Sequence, residues 1–452
     1  MELLRHLELY LAVPSMGAVL HTLNIRLFEE DLRYIVDHAG SRIVFLDASL
    51  AEVMPRFEGV RHEVLMDDGP GERTGALRYE DLIAAGREDV DFPALDERTA
   101  AALCYTSGTT GRPKGVLSSH RSTVLHALGV SHPDAAGLRE RDSVMPVVPM
   151  YHAGAWGYPY AATLSGSRLV LPGPRMSPAE LAGLIAAERV TKAAGVPTVW
   201  QGILGLADPP DLSSLQELLV GGSAVPEHLI RAFEERFGVE VVQGWGMTET
   251  SPVGAISRPP GDVELTDDER YALLACQGRV LSLVDFRLDA ERGGELQMRG
   301  PWVASAYYGA DGGDDRFTDD GWLRTGDIAE LRHGSYLRLV DRAKDLVKSG
   351  GEWISSVELE NAIMAHPAVA EAAVIGVPDD RWGERPLACV VVRPGATLDA
   401  AQLRVHLSGR VAKWWIPERL EPIEEVPKTS VGKFDKKALR ARFAAPPSRE
   451  AT

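Results

Sequence analysis

The sequence predicts an α/β protein made of two parts, because short strands and helices alternate along most of the chain. Up to about residue 340, β-rich runs such as 41–46 and 218–220 are separated by helical stretches such as 178–188 and 226–237. This alternation predicts a large domain of mostly parallel sheets covered by helices. The rest of the chain predicts a small α+β domain, in the order helix 356–366, strand 370–377, strand 387–392, helix 400–411 and strand 420–423.

A charged segment without periodicity, 341–345, lies between the two parts and is the candidate hinge. It predicts a large N-terminal domain over 1–341 and a small, mobile C-terminal domain over 342–452. We therefore expect a site that uses both parts of the chain to change when the hinge rotates.

Composition excludes several classes of protein. The net charge of −17 argues against a nucleic-acid-binding surface, since phosphate backbones attract basic faces. No run approaches the ~20 apolar residues that span a bilayer, and the first 20 residues lack the separate basic region of a signal peptide. Three widely spaced cysteines predict buried free thiols in a reducing compartment. A cytoplasmic protein without stable membrane insertion is expected.

The segment 105–116 predicts a polyphosphate-binding loop. It follows the apolar run 100–104 and contains three glycines, four Ser or Thr hydroxyls and two cations. Glycines let the backbone approach phosphates, while hydroxyls, amides and a lysine bind them. It is not a Walker A loop, because Lys114 is followed by Gly115 rather than by Ser or Thr. The alternative is a flexible surface turn. The candidate binding residues are Thr106, Ser107, Gly108, Thr109, Thr110, Gly111 and Lys114.

This loop resembles the phosphate-binding loop of the adenylate-forming (ANL) superfamily, which includes acyl-CoA synthetases, peptide-synthetase adenylation domains and firefly luciferase. The resemblance spans essentially the whole chain, and further family motifs follow in order. It implies a small β-barrel-like part within the large domain. It also implies ATP, Mg²⁺ and coenzyme A as cosubstrates and cofactors.

The segment 244–252 (GWGMTETSP) resembles the next motif. The resemblance implies that Thr248 binds the α-phosphate and that Glu249 holds Mg²⁺, which prefers oxygen ligands. The alternative for these residues is a helix N-cap with an acidic first turn.

Four further segments are similar to nucleotide-binding and acceptor-binding motifs. The resemblance assigns adenine to the turn 220–224 and to the strand end after 242, ribose to two charged residues, and the pantetheine arm of CoA to 348–353. The residues concerned are Gly222, Ser223, Ala224, Gln243, Gly244, Trp245, Asp327, Arg342, Lys348, Gly350, Gly351 and Trp353. A tight turn without a ligand is the alternative for 220–224.

The motif 427–440 carries Lys433, which the resemblance makes the catalytic lysine of adenylation. Lys348 is the corresponding lysine of thioester formation. Both lie in the small domain and cannot occupy the site together. The resemblance therefore predicts rotation about Lys344 between the two half-reactions.

The acid is expected to be a fatty acid, because the chain most resembles the medium- and long-chain fatty-acyl-CoA synthetase branch. His152 is placed beside the reaction centre, and Trp156, Val196 and Gly246 are placed in an apolar acyl pocket. A packed core tryptophan is the alternative for Trp156. No aspartate is evident there to hold an amino group, which disfavours amino-acid substrates.

Three alternatives stay open: an acyl-AMP ligase that loads a carrier protein, a ligase for short acids such as 3-(methylthio)propionate, and a truncated inactive homologue. The last arises because Met1 falls almost at a segment that is internal in relatives, so the usual N-terminal segment is expected to be missing. A homodimer is possible.

Overall fold

The computed structural model describes residues 4–66, 71–106, 112–261, 263–310, 314–350, 352–428 and 434–443. Contacts group the chain into two compact units. Unit 1 comprises Met1–Asp285 and Arg299–Leu323, and unit 2 comprises Phe286–Met298 and Arg324–Thr452. The boundary between domains 1–341 and 342–452 stays a prediction.

Unit 1 contains both helices and strands, which alternate along much of its length. Its described α-helices are α1 Leu4–Ser15, α2 Glu29–Ala39, α3 Tyr79–Ala84, α4 His120–Ser131, α5 Tyr158–Ser165, α6 Pro178–Ala187, α7 Pro197–Leu204, α8 Glu227–Phe237 and α9 Asp267–Leu274. Its described strands are β1 Leu20–Thr22, β2 Ile43–Asp47, β3 His62–Met66, β4 Leu77–Arg78, β5 Ala100–Tyr105, β6 Gly115–Ser119, β7 Ser143–Pro146, β8 Arg168–Leu169, β9 Lys192–Gly195, β10 Glu217–Gly221, β11 Glu240–Gly246, β12 Val253–Ser257 and β13 Arg279–Val280.

A seven-stranded sheet in the order β13-β12-β11-β10-β9-β7-β8 organises unit 1. Strands β11, β10, β9, β7 and β8 are parallel, and β12 and β13 add antiparallel strands at one edge. Every residue of β10 is buried, as expected for a parallel strand covered on both faces. Helices α6, α7 and α8 contribute Leu181, Trp200 and Phe233 to the adjoining core. The predicted α/β class with mostly parallel strands is confirmed.

Two smaller sheets complete unit 1. One has the order β1-β5-β6, with β1 parallel and β6 antiparallel to β5, and the other is the parallel set β2-β3-β4. Among the described helices, none combines the length and apolar character needed to cross a lipid bilayer.

Unit 2 contains a four-stranded sheet and a second, larger α+β part. Its strands are β14 Asp285–Asp289, β15 Glu295–Arg299, β16 Leu323–Arg332, β17 Tyr336–Arg342, β18 Val347–Ser349, β19 Glu352–Ile354, β20 Val369–Asp379, β21 Gly383–Val392 and β22 Arg419–Pro422. Its described helices are α10 Ser356–Met364, α11 Ala400–Leu407 and α12 Lys436–Phe443. The first sheet has the linear order β14-β15-β16-β17, so these described strands do not close into a barrel.

The second sheet of unit 2 is ordered β19-β18-β21-β20, with β22 pairing β21. Its two faces are covered differently. Helices α10 and α11 pack on the face that includes Val374 and Val390, and Leu439 of α12 packs on the face that includes Ile375 and Leu387. The predicted small α+β part is confirmed.

Several local predictions need correction. Helix α10 begins at Ser356, as predicted, and Ser355 is its N-cap and accepts a hydrogen bond from the backbone N–H of Glu358. The helix ends before His366, because a residue that precedes proline avoids the α conformation. Helix α11 ends at Leu407 rather than at 411. The cysteines are free, but Cys104 is only partly buried, whereas Cys276 and Cys389 are buried.

Candidate active site

The neck of the predicted phosphate loop is formed by Thr106 and Lys114. The Thr106 backbone N–H donates to the Lys114 carbonyl at 2.9 Å. The Lys114 backbone N–H donates to the Thr106 side-chain oxygen at 3.1 Å. Strands β5 and β6 lead into and out of the loop as an antiparallel pair. The predicted binding residues Ser107, Gly108, Thr109, Thr110 and Gly111 lie outside the described residues.

Lys114 has two partners in the irregular segment before β16. Its Nζ lies 2.5 Å from Oδ2 of Asp314 and 4.6 Å above the centroid of the Tyr307 ring. Burial opposes ionisation of Asp314, but the hydrogen bond from Lys114 and the nearby Arg316 lower its pKa overall. Lys114 therefore lies beside an ionised carboxylate.

Glu249 is the centre of the same cluster. Its side chain is buried, with 6% of its surface exposed, and lies 3.9 Å from Arg316. The Tyr307 hydroxyl donates a hydrogen bond of 2.6 Å to Oε1 of Glu249. Burial first, and then the charge of Glu249, raise the pKa of Tyr307, so this hydroxyl stays protonated and able to donate.

Thr248 and Glu249 occupy a 3₁₀ turn, Thr248–Thr250, which leads into β12. The N-cap of this turn is Met247 rather than Thr248, and Glu249 is the acidic residue of its first turn. A magnesium ion fits this donor set because Mg²⁺ commonly takes one or two carboxylates together with phosphate oxygens. In the part of the chain that the structure describes, no group of three or more acidic, histidine or cysteine side chains could hold a metal alone.

Sequence reasoning missed Tyr307, Asp314 and Arg316. They lie in a segment without periodicity, whose charges are typical of a solvated loop. The contact that identifies Asp314 joins residues 200 positions apart. No local pattern contains that information, although the tyrosine followed by clustered charges was available as a weak signal.

A run of backbone with positive φ follows His152. Ala153, Gly154, Ala155, Trp156 and Gly157 have φ angles of 46°, 56°, 47°, 57° and 80°. Non-glycine residues in this region are strained. Such strain concentrates at functional sites, where the surrounding structure holds it in place.

This turn directs Trp156 against the predicted adenine turn. A Cβ atom on Gly221 would lie 3.3 Å from the Trp156 ring and 2.5 Å from the carbonyl oxygen of Gly244. Gly222 has a φ of 82°, and a Cβ there would lie 3.2 Å from Cγ1 of Val196. The glycines are therefore required by close packing. Ser223 and Ala224, which follow in the turn, are exposed.

The neighbouring strand supplies the other side of the predicted adenine site. Gln243 and Gly244 pair in register with Val220 and Gly221. Gln243 is 1% exposed, and its Oε1 lacks a hydrogen-bond partner among the described residues. A buried amide oxygen without a partner is costly and points to an absent donor. Trp245 is buried. Gly246 directly faces the backbone of Pro252, which leaves no room for a side chain.

In unit 2, the predicted ribose-binding residues form an ion pair. Asp327 and Arg342 are opposite each other on β16 and β17, with Nε of Arg342 2.7 Å from Oδ1 of Asp327. Asp327 is 3% exposed, so its carboxylate is buried beside the guanidinium. The structure brings these two residues together, and their role toward ribose stays a prediction.

The predicted hinge residue, Lys344, is held by α12. Arg440 donates to the Lys344 carbonyl at 3.2 Å and pairs with Asp345 at 2.7 Å. Burial lowers the pKa of the Lys344 ammonium.

The predicted acceptor segment forms the hairpin β18–β19. Lys348 and Trp353 are paired across it, with Nζ of Lys348 5.3 Å from the indole centroid. Gly350 has a φ of 63°, and a Cβ there would lie 2.8 Å from the ring of Trp382. The predicted residues Gly351 and Lys433 lie outside the described residues.

Two profiles match the sequence. The profile of the AMP-binding enzyme family covers residues 2–308, and that of the AMP-binding enzyme C-terminal domain covers residues 358–433. The chain belongs to the AMP-binding enzyme family. The prediction of an adenylate-forming enzyme from the acyl-CoA synthetase branch is confirmed.

Relatives of this AMP-binding enzyme include several CoA ligases. It is 46% identical to a 3-methylmercaptopropionyl-CoA ligase from Ruegeria pomeroyi, covering 97% of this chain and 85% of the relative. It is 47% identical to a long-chain-fatty-acid–CoA ligase from Thermus thermophilus, covering 97% and 83%. It is 42% identical to a medium-chain-fatty-acid–CoA ligase from Ectopseudomonas oleovorans, covering 97% and 84%.

Solved structures agree with the family. ATP-bound MatB from Rhodopseudomonas palustris superposes with a TM-score of 0.84 at 28% identity, covering 97% of this chain and 86% of that one. The anthranilate CoA ligase AuaEII, in complex with anthranoyl-AMP, gives 0.83 at 26% identity, covering 96% and 84%.

Proposed function

We propose that this AMP-binding enzyme is an ATP-dependent fatty-acid–CoA ligase. The observation that carries the proposal is the cluster of Lys114, Glu249, Tyr307, Asp314 and Arg316 beside the neck of the phosphate loop. The cluster combines cations for phosphate oxygens with one buried carboxylate. The similarity to fatty-acid–CoA ligases supports the choice of acid and acceptor.

In the first half-reaction, a carboxylate oxygen attacks the α-phosphorus of ATP, the bond to pyrophosphate breaks, and an acyl-adenylate forms. Charge gathers on phosphate oxygens, so positioned cations and hydroxyls stabilise the transition state. We assign this work to Lys114, to the hydroxyl of Thr248 and to Lys433. Glu249 would hold Mg²⁺, which when bound neutralises phosphate charge. Tyr307 keeps the Glu249 carboxylate oriented.

Gln243, Gly222 and Trp245 are proposed to bind adenine, with Asp327 and Arg342 on the ribose. The Oε1 atom of Gln243, which has no hydrogen-bond partner among the described residues, supports this assignment. The exocyclic amine of adenine could donate a hydrogen bond to it.

In the second half-reaction, the thiol of CoA loses its proton to water, its sulfur forms a bond to the acyl carbonyl carbon, and AMP leaves with the electrons of the broken carbon–oxygen bond. Lys348, Gly350 and Trp353 are proposed to bind this acceptor. The exposed indoles of Trp353 and Trp382, each with a cation near its ring, suit a nucleotide that carries phosphates.

The proposal also includes the hinge at Lys344, with domains 1–341 and 342–452, and a cytoplasmic enzyme. A homodimer is compatible with it.

The test is AMP release by the full chain with ATP, Mg²⁺, CoA and a panel of fatty acids. Release that depends on both acid and CoA, together with acyl-CoA detected by chromatography, is the expected result. Glu249→Gln is the matched inactive variant, because it preserves the shape of the side chain and removes its charge. It should reduce AMP release at least tenfold. No release with any acid from folded protein would contradict the proposal.

A further inference from the structure

A partly open cavity adjoins the predicted α-phosphate residue, Thr248. It has a volume of about 60 Å³ and lies between β6, α4, the turn at 153–157, α5 and Thr248. The described residues that line it include no Asp, Glu, Lys or Arg. An attacking carboxylate must come within about 3–3.5 Å of its phosphorus. The tail of a carboxylate held near Thr248 can therefore extend into this cavity.

One wall of the cavity is rigid. His126 accepts a hydrogen bond from the Val253 backbone N–H at 3.1 Å, and its ring stands edge-on to Trp302. Burial lowers the pKa of His126 to about 3, so the wall is uncharged. The ring also contacts Gly157, where a Cβ atom would lie 2.6 Å from it. His126 cannot move aside without disturbing three neighbours.

A second wall of the cavity is formed by Tyr160 of α5, which is also fixed. Its hydroxyl donates to the Tyr10 carbonyl of α1 at 3.3 Å, and the two rings are 5.6 Å apart. Thr123 of α4 adds a hydroxyl that donates to the Ser119 carbonyl at 2.9 Å. The hydroxyls of Tyr160 and Thr123 and the Nε2 atom of His126 are thus engaged within the protein, and the surface of the cavity is mainly apolar.

We propose that this cavity takes the acyl tail and limits it to about four to six non-hydrogen atoms beyond the carboxyl carbon, since one water-sized group needs roughly 10–15 Å³ of such space. The favoured acids then run from pentanoate to heptanoate, and 3-(methylthio)propionate has a tail of the same size. This inference rests on the proposed function. It places the tail beside His126 and Tyr160, whereas the sequence predicted a pocket at Trp156, Val196 and Gly246.

The first test measures kcat/KM for straight-chain acids from propionate to palmitate, with the full chain, ATP, Mg²⁺ and CoA. We expect a rise of about fourfold per methylene up to pentanoate–heptanoate. Dodecanoate and palmitate should then be at least tenfold worse than the best acid. A continuing rise through dodecanoate would overturn the length limit and leave the ligase proposal intact. No turnover with any acid would instead defeat the ligase proposal.

The second test changes the walls. Tyr160→Ala should move the preferred acid to octanoate or longer, raising the octanoate-to-pentanoate ratio at least tenfold. Tyr160→Phe, which keeps the ring, should preserve the wild-type preference. If Tyr160→Ala fails to fold, Thr123→Leu gives the opposite change and should favour propionate and butyrate over hexanoate. Val196→Leu enlarges a side chain of the pocket that the sequence predicted, which does not line this cavity. It should leave the preferred acyl chain length unchanged. A shift with Val196→Leu and none with Thr123→Leu would overturn the assignment.

Discussion

The hydroxyl of Tyr307 lies 2.6 Å from Oε1 of Glu249, and the same tyrosine ring lies under the ammonium of Lys114. The side chain of Tyr307 thereby contacts both the acidic residue Glu249 and the basic residue Lys114 of the proposed phosphate-binding cluster. Neither contact is evident from the neighbours of Tyr307 in the sequence.

Tyr307→Phe should lower kcat/KM for adenylation about tenfold or more, because a hydrogen bond to a charged group contributes roughly 1.5–3 kcal/mol. Acid-dependent exchange of pyrophosphate into ATP measures this step. Tyr308→Phe is the matched control, since Tyr308 packs on His38 and lies outside the cluster. Equal exchange by the two variants would remove Tyr307 from the proposed site.

Lys433→Ala should raise the activation free energy of adenylation by roughly 3–4 kcal/mol, by analogy with loss of an oxyanion donor. It should spare thioester formation when synthetic acyl-adenylate is supplied with CoA. Lys348→Ala should have the reverse pattern. Rapid-quench assays of each half-reaction separate the two. Equal damage to both steps by Lys433→Ala would contradict alternation about Lys344.

The free energy of unfolding should depend on pH through Glu360. This side chain is buried, and Lys436 lies 2.7 Å from its Oε1. Burial raises the pKa of Glu360 from 4.5 to about 7, although Lys436 opposes the shift. The folded state therefore binds a proton that the unfolded state has released. Stability from this group is complete below about pH 4.5 and is lost as the pH rises to about 7.

Glu360→Gln tests this linkage, because glutamine is neutral throughout and still offers an oxygen to Lys436 and to the Val374 backbone N–H. Urea unfolding at several pH values should give a difference between variant and wild type that grows by about 1–3 kcal/mol from pH 4.5 to 7.5. A difference that stays constant with pH would show that Glu360 does not take up a proton on folding.

Gly221→Ala should destabilise the protein by about 1–3 kcal/mol, the usual range for overpacking, because its methyl group would meet the Gly244 carbonyl and the Trp156 ring. It should also raise the KM for ATP. Gly183→Ala, with open space around its Cβ, is the matched substitution and should be neutral or stabilising. Chemical denaturation and ATP titration of both variants measure the effect, and similar behaviour would argue against close packing at Gly221.

Much of the arrangement follows from sequence because ligand residues in parallel α/β sheets collect where strands end. Thr106 follows β5 and Gly222 follows β10, so their motifs could be placed before the fold was known. Gly221 and Gly244 then meet through strand register. The contact between Lys114 and Asp314 could not be predicted. Asp314 lies in an irregular segment that has no periodic sequence pattern, and tertiary packing alone sets the contacts of such a segment.

The backbone between Ala153 and Gly157 also has a chemical consequence. Its positive φ angles are those that D-amino acids favour, so the L-residues Ala153 and Ala155 are strained there. Replacing Ala155 by D-alanine through semisynthesis should relieve about 1–2 kcal/mol, whereas the same exchange inside α6 should break that helix. At these positions D-alanine should therefore give a more stable fold than the L-alanine that ribosomal synthesis incorporates.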